Sequence, residues 1–324
     1  MKFSTALTVA ASLVATVTAH GGVDQYIVGD TTYAGWSPYN SPGSQKSIQR
    51  QYSSYDPLVI KDLTASLQTR TENIRCNNKG ALGTGLTGTI AAGAKLKTHW
   101  KQWTHRPTSF LVYMAKCPGK CDSFDGSGKV WFKVYEQGLI SGTENAGIWA
   151  GDAILDTLYA TMTIPATLAA GDYLIRHELI AVHQANNPQF YPECAQFTVT
   201  GSGTASPPAS ALVSFPGAYS STDPGIAFNI DSDAAKKATS YPIPGPAVWN
   251  GSGDASGPAP TAAPSPTTLA TSASASAVPS AAPTTPTCEV AKFGQCGGIG
   301  FGGCTTCASG SKCVANGDYY SQCV

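Results

Sequence analysis

TSFLVYMA, residues 108–115, opens a series of short segments rich in Val, Ile, Thr, Tyr and Phe that decides the fold class. KVWFKVY (129–135), YATMTI (159–164), DYLIRHELIA (172–181) and AQFTV (195–199) follow, with Gly and Pro punctuating the chain between them. Several alternate apolar with polar side chains, the period of a half-buried antiparallel strand. No long segment repeats its apolar residues at the 3.6-residue helical period. Many short strands separated by turn signals predict an all-β fold, an antiparallel β-sandwich over residues 20–249. The Ser/Pro/Tyr-rich stretch between Tyr33 and Asp56 reads as a long surface-forming loop.

Beyond this region the composition changes. Residues 250–287 are almost entirely Ser, Thr, Ala, Pro and Gly. Such a segment cannot bury enough apolar surface to offset the entropy of ordering, so it reads as an extended, O-glycosylated linker. Asn250-Gly251-Ser252 is an N-glycosylation sequon. The ten cysteines form two groups: Cys76, Cys117, Cys121 and Cys194, then Cys288, Cys296, Cys304, Cys307, Cys313 and Cys323. Both counts are even, and two cysteine frameworks predict two domains. The second, residues 288–324, is too small for a sufficient core without covalent staples.

At the other end, residues 1–19 read MKFSTALTVAASLVATVTA. A basic start, an apolar run and a small-residue Val17-Thr18-Ala19 ending are the pattern of a secretory signal cut after Ala19. The apolar run is too short to span a bilayer, and no later segment qualifies. The expected protein is secreted and monomeric, in an oxidising compartment that permits disulfides. Net charge is zero and only 12% of residues are charged. No basic stripe suggests nucleic acid or an anionic membrane surface, and a neutral, polar partner is expected.

Cleavage after Ala19 would leave His20 first, with a free α-amine and an imidazole on one residue: a bidentate chelate. The chain has four other histidines, His99, His105, His177 and His183. His20, a second His and Tyr191 would give three nitrogens and an axial phenol, a donor set that suits Cu(II) far better than calcium or magnesium. Without a Cys ligand this is no blue-copper carrier, and no HExxH run supports a zinc hydrolase. A glycoside hydrolase would need paired carboxylates. Asp122, Asp125, Glu136 and Glu178 are available, but nothing in the sequence pairs them.

Several motifs in order resemble the fungal lytic polysaccharide monooxygenases of auxiliary activity family 9. They are HGGV at His20, WKQWTH (100–105), VYMAKC (112–117), GIWA (147–150), RHELIAVH (176–183), QFYPEC (189–194), DPGI (223–226) and IPGP (243–246). The resemblance covers nearly all of residues 20–249. It implies an immunoglobulin- or fibronectin-like antiparallel β-sandwich with a flat face and one copper ion. It also implies secretion, and oxidative cleavage of cellulose at C1 and/or C4 with dioxygen or hydrogen peroxide. Electrons would come from a small-molecule reductant or a redox enzyme such as cellobiose dehydrogenase. Carried over, the metal ligands are His20, His105 and Tyr191, with His183 and Gln189 beside the open metal position. His99, before Trp100, is the rival second imidazole, for which a solvated or core-edge His is the ordinary reading. His177 beside Glu178 reads as half of a buried polar pair. Many relatives follow the second ligand with x-Gly-Pro, whereas this chain has Arg106-Pro107-Thr108. The resemblance pairs Cys76 with Cys194 and Cys117 with Cys121. Tyr39 and Tyr241 are the surface rings expected to help the domain lie on substrate.

Residues 288–324 resemble a family 1 carbohydrate-binding module, carried by FGQCGGIGF (293–301), CASG (307–310) and YYSQC (319–323). That resemblance pairs Cys296 with Cys313 and Cys307 with Cys323, leaving Cys288 and Cys304. Phe293, Tyr319 and Tyr320 match the rings that stack on glucose, with Gln295, Asn316 and Gln322 as polar neighbours. Phe at 293, where Trp or Tyr is usual, and Gly317-Asp318 are departures. A non-catalytic cellulose-binding or wall-loosening protein shares this organisation; the copper residues favour catalysis.

Overall fold

A computed structural model of the chain describes residues 20–63, 72–78, 80, 83–252, 289–290, 295–297, 304–315 and 321–324. The chain divides into two compact units, Met1–Thr261 and Ala262–Val324.

The larger unit is a β-sandwich. Its strands are β1 (Val23–Val28), β2 (Thr31–Ala34), β3 (Gly88–Ala91), β4 (Lys95–Trp100), β5 (Thr108–Lys116), β6 (Trp131–Gln137), β7 (Leu139–Ser141), β8 (Ile148–Trp149), β9 (Tyr159–Thr163), β10 (Gly171–Ala181) and β11 (Gln189–Thr200). Among the described residues two α-helices accompany them, α1 (Asn73–Cys76) and α2 (Ala150–Thr157). One sheet has the order β2-β1-β4-β9, the other β3-β11-β10-β5-β6; β7 and β8 form a small ribbon. All strand pairs are antiparallel except β11 with β3.

The two sheets meet over a core that includes Tyr26, Leu96, Trp100, Phe110, Val112, Met114, Ile175, Leu179, Tyr191 and Phe197. A second core covers the other face of the five-stranded sheet. There Leu111, Tyr113, Leu174, Ile180 and Phe190 pack under Phe215, Tyr219, Ile226, Phe228 and Tyr241. This explains why DYLIRHELIA and TSFLVYMA do not alternate cleanly: β5 and β10 are buried on both faces. β4, with one face open, does alternate. Arg176 and Glu178 point into the second core, where the guanidinium donates to both carboxylate oxygens at 2.6 Å. His177 points the opposite way, into the first core against Tyr26 and Phe110. It therefore makes no pair with Glu178: neighbours on a strand face opposite sides.

β11 begins well before AQFTV and runs through Pro192. Along the strand's far side Phe190 exchanges backbone bonds with Leu58, the Cys194 carbonyl accepts the Arg50 N–H and the Gln196 N–H donates to the Ile48 carbonyl. Pro192 shares their parity, so its missing N–H falls between those bonds and costs the β10 ladder nothing. The loop from Tyr33 to Asp56 is more than surface, because it buries a small core of its own from Trp36, Tyr52 and Tyr55.

Cys76 is bonded to Cys194 and Cys117 to Cys121. Asn250 is exposed and its side-chain oxygen accepts the Ser252 N–H at 3.0 Å. In the smaller unit β12 (Gln295–Gly297), β13 (Cys313–Ala315) and β14 (Ser321–Cys323) form a sheet in the order β12-β14-β13. Bonds Cys296–Cys313 and Cys307–Cys323 staple it. Cys304 is also disulfide-bonded, while Cys288 lies outside the described residues. Phe293, Asn316, Tyr319 and Tyr320 lie outside them too, as do residues 1–19. Among the described residues no helix is long and apolar enough to cross a membrane.

Candidate metal centre

Antiparallel topology brings five chain segments to one end of the sandwich: the start of β1, the end of β4, the start of β5, the end of β10 and the start of β11. His20 precedes β1, His105 lies between β4 and β5, and His183 lies between β10 and β11. Tyr191 is the third residue of β11 and faces inward. The His20 and His105 rings are 5.3 Å apart, and the His20 and Tyr191 rings 6.1 Å. The Tyr191 hydroxyl lies 3.0 Å from His105 Nε2 and donates to Gln189 Oε1 at 2.8 Å. His183 stacks flat on His105 at 4.5 Å, with 7° between the planes. His20, His105, His183, Gln189 and Tyr191 thus come together.

Local structure fixes the His105 loop. Trp100 and Trp103 are buried and meet edge to face, and Trp103 packs its edge on both His105 and Tyr191 at 5.2 and 4.9 Å. The His105 carbonyl accepts the Thr108 hydroxyl at 2.9 Å. Arg106-Pro107 is a cis peptide, and the Pro107 carbonyl accepts the Val182 N–H, tying this loop to the one bearing His183. Pro107 and Thr108 stand where the x-Gly-Pro pattern has Gly and Pro, and Arg106, at the free position, pairs its guanidinium with Asp152 at 2.8 Å. The other Asp152 oxygen caps α2 by accepting the Trp149 N–H.

The electrostatics favour neutral imidazoles with free lone pairs. Burial pushes His105 down to about 4, and the adjoining His183 and His20 add to the effect. His183 is lowered by burial and then by His20, and its buried Nδ1 has no partner. Burial raises the Tyr191 phenol, with Asp56 adding to the shift, so it stays protonated. Clustered neutral imidazoles and a phenol fit a borderline transition metal and do not fit calcium or magnesium.

The other sequence candidates are elsewhere. His99 Nδ1 contacts Asp24 Oδ1 at 2.5 Å and its ring lies tilted against Tyr159, 4.8 Å between centroids, so it is a paired, half-exposed histidine on β4. Tyr39 is 69% exposed and meets Tyr55 edge to face. Tyr241, expected as a surface ring, is buried instead: it packs on Trp149 and Phe228 and donates to the Gly225 carbonyl. The cover over the five-stranded sheet consumes it as core. Sequence reading missed Glu193, Gln49 and Tyr52, which surround the N-terminal segment. Glu193 stands inside QFYPEC, but nothing in the spacing shows that its carboxylate faces Gly22 and Val23.

A cluster of imidazoles and a phenol at one end of a β-sandwich is a donor set that could hold a single transition-metal ion. The Auxiliary Activity family 9 (formerly GH61) profile matches residues 20–241, and the fungal cellulose binding domain profile matches residues 292–320. A relative is the AA9 family lytic polysaccharide monooxygenase-like protein CEL1 of Agaricus bisporus. It is 44% identical over 314 residues, covering 96% of this chain and 92% of that protein. AA9 family lytic polysaccharide monooxygenase B of Heterobasidion irregulare is 47% identical over 238 residues, 72% of this chain and 93% of that one. The crystal structure of HiLPMO9B superposes with a TM-score of 0.66 at 44% identity, covering 71% of this chain and all (100%) of that one. This chain belongs to auxiliary activity family 9, the lytic polysaccharide monooxygenases, and carries a C-terminal fungal cellulose-binding domain. It is an oxidoreductase of polysaccharide degradation.

Proposed function

We propose that this protein is a secreted, copper-dependent monooxygenase that oxidatively cleaves β-1,4-glucan chains of cellulose at C1 and/or C4. The observation that carries the proposal is the convergence of His20, His105 and Tyr191, with the Tyr191 hydroxyl 3.0 Å from His105 Nε2. His20 would hold copper through its amine and imidazole, His105 through its imidazole and Tyr191 through its phenol oxygen. Copper, when bound, supplies a one-electron couple able to activate dioxygen or hydrogen peroxide. Removal of residues 1–19 as a secretory signal frees the His20 amine.

The chain's own groups do the rest. His183 is held flat against His105 by stacking, and its imidazole can take up a proton and give it back as an acid beside the site. Gln189 Oε1 accepts the hydrogen bond from the Tyr191 hydroxyl, which orients the phenol while burial keeps it protonated. The exposed Tyr39 ring suits the apolar face of a glucose unit. Residues 20–249 form the catalytic domain, 250–287 the linker and 288–324 the cellulose anchor. Phe293, Gln295, Asn316, Tyr319, Tyr320 and Gln322 are its substrate contacts. A tethered anchor keeps the domain at an insoluble surface by effective concentration. The electron donor is a small-molecule reductant or a redox enzyme such as cellobiose dehydrogenase, and the protein works as a monomer.

The test is mass spectrometry of soluble products released from cellulose by the mature, copper-reconstituted protein, with and without ascorbate. Aldonic acids or 4-keto sugars that need ascorbate support the proposal and identify the carbon attacked. Unoxidised oligosaccharides without reductant would indicate hydrolysis, and no product in either arm would leave a binding protein.

A further inference from the structure

Glu193 lies two residues after Tyr191 on the same inward face of β11 and is 1% exposed. Its Oε2 accepts the Val23 N–H at 2.9 Å and the side-chain amide of Gln49. Gln49 is itself buried, and its Oε1 accepts the Trp36 N–H at 2.8 Å. The Tyr52 hydroxyl faces the same carboxylate. A Cβ at Gly22 would overlap both Glu193 Oε1 and that hydroxyl, so the N-terminal segment lies directly on this buried group. On its other side the Gly22 carbonyl accepts the Lys101 N–H at 2.9 Å, and a Cβ at Gly21 would overlap the Gln102 carbonyl oxygen.

The segment His20-Gly21-Gly22-Val23 is therefore clamped between two pieces of chain. One carries Tyr191 two residues from the clamp, and the other carries His105 three residues beyond Gln102. Chain ends fray unless tied down, whereas ligand donors must be held to about 0.5 Å. The register of β1 against β4 shifts between Val23 and Gln25, so the regular ladder starts only after this point. The side-chain clamp takes over where the ladder stops.

We propose that Glu193 is the positioning residue of the N-terminal metal ligand, holding Val23 against β11 through its carboxylate and Gln49 so that His20 is fixed relative to Tyr191 and His105. The proposal rests on the copper reading above.

The experiment titrates Cu(II) into chelator-stripped, full-length mature protein by calorimetry. Electron paramagnetic resonance spectra are recorded at one equivalent. Removing the clamp with Glu193→Leu should weaken copper binding by about 10- to 100-fold, the usual range for loss of a group that orients a ligand, and should change the copper hyperfine pattern. Glu193→Gln keeps an acceptor for Val23 and should stay within about threefold of wild type. Should Glu193→Leu fail to fold, Gln49→Leu carries the same test, with an expected loss of at least about threefold. Ile175→Ala, a cavity elsewhere in the same core, controls for general destabilisation and should leave affinity and spectrum unchanged. Wild-type affinity and spectrum in a folded clamp variant overturn the proposal, and so does an equal loss in Ile175→Ala. A Gly placed before His20 separates the two readings. If it leaves wild-type copper affinity unchanged, the copper reading falls and takes this proposal with it. If it abolishes binding while Glu193→Leu binds normally, only the positioning role falls.

Discussion

His177 makes the domain's stability depend on pH in a way that a single substitution removes. Its ring is buried, both nitrogens lack a partner, and burial alone pushes its pKa down to about 3 from 6.5. The folded state therefore refuses a proton that the unfolded chain accepts below pH 6.5. Stability is complete above the unfolded value and falls with pH through the window from 6.5 to about 3. At about 1.4 kcal/mol per unit, this residue alone costs about 2 kcal/mol at pH 5 and over 3 kcal/mol at pH 4, relative to pH 7. Glu193, raised to about 8 by burial, acts oppositely between its unfolded value and 8. Raw stability curves thus mix the two effects. The difference between wild type and His177→Phe cancels the titrations they share, and any packing cost of the larger ring adds only a pH-independent offset. All six tryptophans lie between Trp36 and Trp249, so tryptophan fluorescence in guanidinium reports this unit without the module. With metal removed by chelator, the wild-type-minus-variant difference should steepen below pH 6.5 and change by about 2 kcal/mol between pH 7 and pH 5. Parallel curves from pH 7 to 4.5 would show that the imidazole is charged or hydrated inside the core, and the reasoning would fail.

Other consequences are more local. Gly21→Ala drives a methyl into the Gln102 backbone, which cannot swing aside as a side chain would. A loss of about 1–3 kcal/mol is expected in guanidinium unfolding, with weaker copper binding by calorimetry. Replacing Cys76 and Cys194 by Ser opens a bridge that spans 118 positions of sequence. That should cost about 2–5 kcal/mol in the same unfolding assay under non-reducing conditions. Arg106→Ala breaks an ion pair whose arginine is 58% exposed, so the melting transition should move by under about 1 kcal/mol equivalent. A larger effect would mean that Arg106 supports the His105 loop and is more than a surface charge.

How much of this was legible in the sequence follows from how each contact is encoded. The β-sandwich was legible because strand composition is local: YATMTI becomes β9 and KVWFKVY most of β6. The doubly buried centre of the five-stranded sheet was not, because its second layer comes from residues 213–249, which carry no strand pattern and cover the sheet as loops. Tyr241 was misread for that reason. A tyrosine near a Pro- and Gly-rich run has the composition of a surface loop, and only the tertiary fold shows that Trp149 and Phe228 enclose it. His177 was misplaced for a simpler reason. Adjacency along a strand suggested a pair with Glu178, yet the pleat sends the two side chains into different cores.

The candidate metal centre shows the same division. Its donors were found through motifs a few residues long, each of which keeps its spacing along the chain. Their support was invisible, since the Val23 N–H and the Glu193 carboxylate that accepts it are 170 residues apart, and Gln49 and Glu193 are 144 apart. Charge and composition give no hint of such a contact, and a buried glutamate between Pro192 and Cys194 reads as an unremarkable member of its motif. Glycine could have been the clue. Two consecutive glycines directly after a candidate ligand are a poor choice for holding it still, because they enlarge the freedom the chain must lose. Their presence makes physical sense only if something larger than a hydrogen atom already fills the space where each side chain would go. On one side that is the Gln102 backbone, and on the other the Glu193 carboxylate and the Tyr52 hydroxyl. Close approach on both sides supplies the rigidity that Gly21 and Gly22 lack by themselves.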